Sequence, residues 1–259
     1  MTTILLTGAT DGIGLATARA LAARGARVVV HGRNPAKLAR VAGELDTEGV
    51  LGDLSSMDQV RSLAEAAAEH GPYDVLLHNA GAWFDEHTLT DDGFESTLAV
   101  NHFAPFLLTH LLLDSVRDGG RVVTVSSIAH TRGRIHWDDL EMNEAYTAYG
   151  AYAQSKLANV LFANALARRT KGRGITSNAL HPGVIDTKLL RAGFDVEGAP
   201  VHTGAETSVH LALSPDLAGV TGCWFEDSRE RIASPGARDE DAQERLWFRT
   251  GKRLGLSVA

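Results

Sequence analysis

The sequence predicts an α/β protein built on one doubly wound parallel sheet with helices on both faces, and three observations carry that prediction. Short apolar runs recur at 4–6, 28–30, 75–77, 122–125 and 175–180, with a weaker one at 222–225. Between them lie stretches with apolar residues at helical spacing, at 15–24, 35–44, 57–69, 93–116 and 146–170. Runs such as 4–6, 28–30 and 75–77, apolar at every position, must be buried on both sides, so the alternation places parallel strands together under two layers of helices. The third observation is that residues 1–33 already hold strand, turn, helix and strand, about the length a parallel crossover needs.

The first unit deserves reading residue by residue. Ile4, Leu5 and Leu6 run directly into Thr7-Gly8, and glycines follow at Gly12 and Gly14. A helix starts next, with Leu15, Ala18, Leu21 and Ala22 on its apolar side and Gly25 placed to end it. The N-terminus of a helix presents unpaired N–H groups and partial positive charge, and glycines let a pyrophosphate approach the backbone. The spacing is G-x-x-x-G-x-G rather than the commoner G-x-G-x-x-G. A tight strand-to-helix turn with no ligand would use the same glycines, so both readings stand on this segment alone.

In such a sheet, ligands bind beyond the carboxyl ends of the strands, so the residues after each apolar run are the ones to examine. After the second run stand His31, Gly32, Arg33 and Asn34. A carboxylate there would take the ribose hydroxyls of NAD, whereas an arginine accommodates the 2′-phosphate of NADP. Here the acid is missing and Arg33 is present, although a solvated surface arginine would look the same. Val50-Leu51-Gly52 leads to Asp53 and Leu54, with Asp53 placed either to meet an adenine amino group or to cap a turn. The strand at 74–77 is followed by His78-Asn79-Ala80-Gly81, small residues that admit a ligand, with Asn79 able to tie up the turn. The strand at 121–125 runs into Ser126-Ser127. Tyr152 and Lys156 stand four apart on a helix, which puts phenol and ammonium on one face, though such pairs also arise by chance.

Composition narrows the function. The chain has 259 residues, 22% charged and 44% hydrophobic, with no linker-like segment, which fits a single domain over 1–259. A net charge of −7 and a pI near 5.9 supply no broad basic face, so nucleic acid is not an expected partner. The basic cluster at 168–171 reads as the solvated end of a helix. The single cysteine, Cys223, excludes an intrachain disulfide and multi-cysteine metal sites, and no metal is expected. The first strand begins at about Thr3, leaving no room for a signal peptide, and the most apolar stretch, 103–113, is too short to span a bilayer. No membrane anchor is expected, and a cytoplasmic location is.

Taken together and in order, TGATDGIG, HNAG, Asn101, the VSS ending in Ser127, YAQSK, and His181-Pro182-Gly183 followed by Thr187 resemble the classical short-chain dehydrogenase/reductase family over residues 7–187. The long gap from Ser127 to Tyr152, the string YAQSKLANVLFANALARR, the HPGV step and the tail SPGARDEDAQERLW are most similar to its retinol-dehydrogenase-like and WW-domain-oxidoreductase-like branch. Two features depart from the pattern. His78 stands where the family commonly has asparagine, and an N-terminal anchor like that of membrane-bound members is not expected here.

The resemblance implies a single-domain Rossmann fold and an oxidoreductase using NADP(H), with NAD(H) disfavoured, to interconvert a carbonyl and an alcohol. It implies four catalytic positions, Asn101, Ser127, Tyr152 and Lys156. Tyr152 would be the acid for reduction and the base for oxidation, and Ser127 would donate to the substrate oxygen. Lys156 would lower the tyrosine pKa and hold the nicotinamide ribose, and Asn101 would anchor a water linking Lys156 to solvent. It further implies cofactor contacts from Gly8, Thr10, Asp11, Gly12, Ile13, Gly14, Arg33, Asp53, Leu54, Asn79, Ala80, Gly81, Pro182, Gly183, Val184 and Thr187, together with Tyr152 and Lys156 themselves. Residues 185–205 read as a substrate lid and 226–259 as a C-terminal extension. Trp83, Trp137, Leu189, Leu190 and Phe194 are the expected walls for a medium-sized, apolar small-molecule substrate, with residues 130–149 a further wall. A homodimer is expected, because the stretches 93–116 and 146–170 are apolar on more than one stripe. The alternative is a catalytically silent NADP(H)-binding regulator, against which the presence of Ser127, Tyr152 and Lys156 counts. A sugar-nucleotide epimerase of the extended family would need a larger C-terminal domain than the residues after Pro182 provide.

Overall fold

Eight strands form one sheet in the computed structural model, which describes residues 1–257. They are β1 (Thr3–Leu6), β2 (Arg27–Gly32), β3 (Gly49–Leu51), β4 (Tyr73–His78), β5 (Val116–Val125), β6 (Thr176–His181), β7 (Trp224–Glu226) and β8 (Arg229–Arg231). Their order is β3-β2-β1-β4-β5-β6-β7-β8, parallel throughout except for the last, antiparallel pair. The chain winds outward from β1 in one direction and, after β3, from β4 in the other. The switch between β1 and β4 opens the crevice at their carboxyl ends.

Alternation along β1 shows how both faces are filled. Leu5 joins Val29, Leu76 and Val122 on one side, under α3 (Met57–Ala68), α5 (Ala104–Leu112) and α6 (Ala148–Arg169). Ile4 and Leu6 join Val30, Leu77, Val123 and Leu180 on the other, under α1 (Gly12–Ala22), α2 (Pro35–Leu45) and α8 (Glu206–Leu213). The helix starts are capped as their sequences allow. Asn34, Ser56 and Thr147 each accept the N–H of the residue three along, and Pro35 occupies the first turn of α2.

Several expectations are revised. The expected helix at 93–116 is shorter at both ends, running as one helical stretch Ser96–Ser115: the short turn α4 (Ser96–Leu98), a π turn over Ala99–Phe103, α5, and a final 3₁₀ turn. It is longer than the apolar core 103–113 suggested and is long and apolar enough to cross a membrane, but it lies mostly buried within the fold. Val116 belongs instead to β5, where it pairs with Tyr73. The strand β8, Arg-Glu-Arg, is a charged edge that no apolar pattern announces.

The C-terminal extension, whose residues 258 and 259 lie outside the described part, is where the fold departs most from expectation. It forms α9 (Glu240–Arg253), capped by Asp239 and led by Glu240 and Asp241. Its Trp247 lies against Phe106 of α5 at 4.7 Å between ring centroids and stacks with Phe162 of α6 at 6.1 Å. The basic cluster lies at the end of α6 as expected, with Arg168 and Lys171 exposed, but it is not left to solvent alone: Arg168 and Arg169 both bond the Glu244 carboxylate, and Arg169 also lies over the Trp247 ring. Every residue of α6 from Ala151 to Ala163 is consequently buried within the one chain. Most of the extra apolar surface of α6 from which a homodimer was expected is therefore covered intramolecularly, which removes that argument for pairing and leaves the family resemblance as the one that carries it. Trp137 is also displaced from its expected place: it packs against the α5–α6 core and beneath Arg245, at 4.3 Å, rather than lining a substrate pocket.

Candidate active site

The glycine turn is built by close approach. Gly8 has φ +68° and passes so near β4's end that a Cβ would stand 2.9 Å from the Ala80 Cα. A Cβ on Gly14 would meet the Gly8 carbonyl oxygen at 2.0 Å, so neither position admits a side chain. From the other side Thr7 and Asn79 stitch the turn down. The Thr7 hydroxyl accepts the N–H groups of Asn79 and Ala80, and the Asn79 amide donates to the Thr7 carbonyl at 2.9 Å. Asn79 thus shapes the crevice through its bonds to the turn. The first bond of α1 runs from the Leu15 N–H to the Asp11 carbonyl, leaving the Ile13 and Gly14 N–H groups in the unpaired first turn.

The turn's remaining residues are tied to neighbouring elements. Asp11 caps α1 and pairs with Lys37 of α2 and with Lys188, which opens α7 (Lys188–Gly193). These two ammonium groups hold its carboxyl far below the usual range. Asp53 accepts the Ser55 N–H and hydroxyl, so one carboxylate oxygen serves the turn after β3. Arg33 is exposed and makes no hydrogen bond or ion pair among the described residues. Thr187 caps α7, accepting the Leu190 N–H, and its methyl group approaches Gly12.

The catalytic candidates lie at the other end of the same crevice. Ser127 follows β5, and its hydroxyl accepts the Ala129 N–H at 3.2 Å and lies on the same cleft wall as the Tyr152 phenol, whose pKa it lowers. Lys156, one turn along α6, donates to the Val125 carbonyl at 3.3 Å and sits 5.5 Å from the Tyr152 ring centre. Asn101, in the π turn, is fully buried. Its amide oxygen accepts the Ala82 N–H at 2.7 Å, and its nitrogen donates to the Ala82 carbonyl and the Ser155 hydroxyl. The side chain expected to anchor a water is thus committed to protein partners, and what it fixes is the loop beside Gly81, whose Cα faces the Lys156 ammonium.

Burial, not the neighbouring ammonium, governs the phenol in this structure. It pushes the Tyr152 hydroxyl up to about 12, against a lowering by the Ser127 hydrogen bond, and it pushes the Lys156 ammonium down to about 8. The expected lowering of the tyrosine by Lys156 is not what the fold alone produces. His181, at the end of β6, is held down to about 4 for the same reason.

All the residues expected to touch a cofactor line one cleft of about 710 Å³, as do Ser127, Tyr152 and Lys156; Asn101 lies behind it. That volume is in the range of small-molecule sites. The lid expected at 185–205 includes α7 and a bridge between Ile185 and Ala199. Its Phe194 stands 5.9 Å from the Tyr152 ring and 5.1 Å from Trp83, which is itself 5.5 Å from Tyr152. Leu189 packs into the same group. The mouth also exposes Tyr149, from the expected wall 130–149, Val196, from the expected lid, and Ile128, which the sequence reading did not single out and which only its position next to Ser127 could have suggested. Among the described residues no three His, Cys, Asp or Glu side chains gather as a metal site.

Comparison with known proteins agrees with this layout. Residues 2–197 match the family model described as short chain dehydrogenase. Retinol dehydrogenase 12 from Bos taurus is 41% identical, the match covering 98% of this chain and 86% of that protein. Retinol dehydrogenase 11 from Homo sapiens is 40% identical over the same shares. Among solved structures, an uncharacterized protein from Mycobacterium Paratuberculosis superposes with a TM-score of 0.85 at 33% identity, covering 100% of this chain and 95% of that one. A blue fluorescent protein from a metagenomic library, in complex with NADPH, superposes at 0.72 and 29% identity, covering 86% and 95%. With a sheet switch point, a glycine turn and a Ser-Tyr-Lys group in one crevice, this chain belongs to the short-chain dehydrogenase family, is retinol-dehydrogenase-like and is an oxidoreductase of the NAD(P)-dependent kind.

Proposed function

We propose that the protein interconverts a carbonyl and an alcohol with NADP(H), on a medium-sized apolar substrate. The observation that carries this is the convergence of Ser127, Tyr152 and Lys156 at one end of a cleft whose other end is the glycine turn. The residues fit a dinucleotide: unpaired first-turn N–H groups at Ile13 and Gly14 would receive its pyrophosphate, and glycines leave the backbone open to it. When bound, the nicotinamide supplies hydride to the carbonyl carbon or takes it from the alcohol. Tyr152 then gives its phenolic proton to the developing alkoxide, or takes it back, while Ser127 donates a hydrogen bond to the same oxygen. Lys156 holds positive charge beside the phenol and the ribose. Phe194, Trp83 and Leu189 cover Tyr152 and keep water from the reacting atoms.

A screen following NADPH absorbance with aldehydes, ketones and quinones tests this reading. The names of the relatives put retinal and retinol among the first compounds to try. Turnover of apolar carbonyls is expected; NADPH binding with no turnover of any of them would return the protein to the class of silent regulators, and a small dianionic acid as best substrate would contradict the apolar walls. The single cysteine suits a reducing, cytoplasmic setting, which we also propose.

The preference for NADP(H) rests on Arg33. Charge-assisted bonds to a phosphate contribute roughly 1.5–3 kcal/mol each, so Arg33→Ala is expected to weaken NADPH binding about ten- to a hundredfold with little change for NADH. Fluorescence titration with both cofactors checks this, and equal losses for the two would remove the argument. Gly32→Asp, which would place a ribose-binding acid after β2, is not a clean switch toward NAD(H), because a Cβ there would stand 2.4 Å from the Thr10 methyl and force that side chain to move.

A further inference from the structure

We propose that His31 is a positioning residue for the cofactor, holding the glycine turn against the ends of β2 and β3 through an imidazole that is neutral and protonated on Nε2. The proposal rests on the cofactor reading above and adds to it a residue outside the Ser-Tyr-Lys group. His31 closes an otherwise aliphatic run, Val28-Val29-Val30, and is only 3% exposed. Its two ring nitrogens face different partners. The Gly8 N–H donates to Nδ1 at 3.2 Å, and Nε2 lies 3.0 Å from the Gly52 carbonyl oxygen. A nitrogen that accepts an N–H and one that faces a carbonyl are satisfied together in one form only, with the proton on Nε2.

The surrounding geometry shows what these bonds do. The His31 backbone carbonyl also accepts the Ala9 N–H, at 2.9 Å, so one residue ties down two successive N–H groups of the turn. The phosphate-facing N–H groups are then those farther along, at Ile13 and Gly14. On the other side, β3 is three residues long, and the backbone bond that continues its ladder, from the Gly52 N–H to the Gly32 carbonyl, is long at 3.4 Å. The imidazole bond to Gly52 is therefore the shorter link between the two strand ends. Those ends carry Arg33 and Asp53, on the wall proposed to receive the adenosine phosphate half of the cofactor.

Protonating Nδ1 would set two donors against each other, the ring N–H and the Gly8 N–H, and the turn would have to shift. Burial lowers the imidazole's affinity for a proton, while Asp53 acts the other way. The other charged groups on this wall are Arg33, beside it on the β2 end, and Asp11 on the turn, which is already paired with Lys37 and Lys188. On the β4 side His78 is buried, bonded to Thr109 and held down to about 3, so it adds no charge. His31 is consequently neutral at pH 7 and releases the turn only in acid.

Two measurements test this. Nitrogen-15 NMR of histidine-labelled protein should show His31 with the proton on Nε2 at pH 7, whether or not cofactor binds; a proton on Nδ1 overturns the proposal. In NADPH titrations, His31→Leu, which fills the space without the bonds, should raise Kd about ten- to a hundredfold and leave kcat at saturating cofactor within about twofold. His31→Gln, whose amide can accept from Gly8 and donate to Gly52, should recover most of the affinity and lose the wild-type weakening of binding in acid. Wild-type Kd in the leucine variant, or a drop in kcat at unchanged Kd, overturns the proposal. If the leucine variant does not fold, the tautomer and the glutamine pH profile decide. Failure of the wild-type chain to bind NADPH at any pH would refute the cofactor reading instead, and leaves the tautomer as a separate result.

Discussion

Replacing Tyr152 with phenylalanine is expected to lower kcat by roughly 10²–10⁴-fold, the usual contribution of a positioned acid or base, while NADPH binding stays near that of the unaltered protein. The phenol is the group beside Ser127 proposed to exchange a proton with the substrate oxygen, and the ring itself stays packed between Trp83 and Phe194 when the hydroxyl is removed. The pH dependence follows from the two shifts. Reduction needs the protonated phenol, which burial preserves up to about 12, so the reductive rate has no reason to rise with pH. Oxidation needs the phenolate, so kcat/KM for the alcohol should climb as pH increases. That climb is opposed above about 8, where Lys156 loses the charge that would stabilise the phenolate. Because the two groups are close, the measured ionisations belong to the pair. Steady-state rates in both directions over pH, with fluorescence titration of NADPH on the variant, check these statements. A phenylalanine variant with appreciable turnover would transfer the acid role to Ser127 or to water.

The half of the cleft proposed for the cofactor was legible in the sequence as a place, because it is made of local signals at strand ends. Gly8, Gly12 and Gly14 follow an apolar run at once, Arg33 and Asp53 follow the next two, and the sheet order brings all of them to one edge without further information. The half proposed for catalysis was legible through Ser127, Tyr152 and Lys156 as residue types, which the fold brings to one cleft, but their electrostatics were not. Whether an ammonium lowers a phenol's pKa depends on how much water both keep, and the packing of Phe194 and Trp83 over Tyr152 comes from segments far apart in the chain. Asn101 shows the same limit: its partners, Ala82 and Ser155, are on other elements. His31 offered one signal, a titratable residue in a valine run, with nothing local to say which groups its nitrogens meet. The C-terminal segment was the least legible, since Arg168 and Arg169 at the end of a helix look solvated until Glu244 is placed beside them.

Trp247→Ala is expected to destabilise the protein by about 3–5 kcal/mol, as large-to-small changes of buried aromatic residues do. The indole is wedged between Phe106 and Phe162 and lies under the Arg169 guanidinium, so its loss leaves a cavity between α9, α5 and α6 rather than a surface that water refills. The polar clasp over it cannot compensate. Glu244 bonds Arg169 and Arg168 and is held down to about 2 by them, but it is partly exposed and screened by solvent. Its sign is nevertheless defined: the clasp contributes above the unfolded carboxyl value of 4.5 and is lost as pH falls toward about 2, so both chains should lose it alike in acid and the difference between variant and parent, set by the cavity, should stay about the same at neutral and acid pH. A chain ending at Arg238 removes α9 altogether and uncovers apolar α5 and α6, the faces from which pairing of two copies was expected. Thermal melts should show the loss for Trp247→Ala, and light scattering should show the full-length chain as a monomer through this face and the shortened chain associating. A stable dimer of the full-length chain whose contacts include α6 would mean that α9 swings away in solution, and the intramolecular covering of that helix would have to be abandoned.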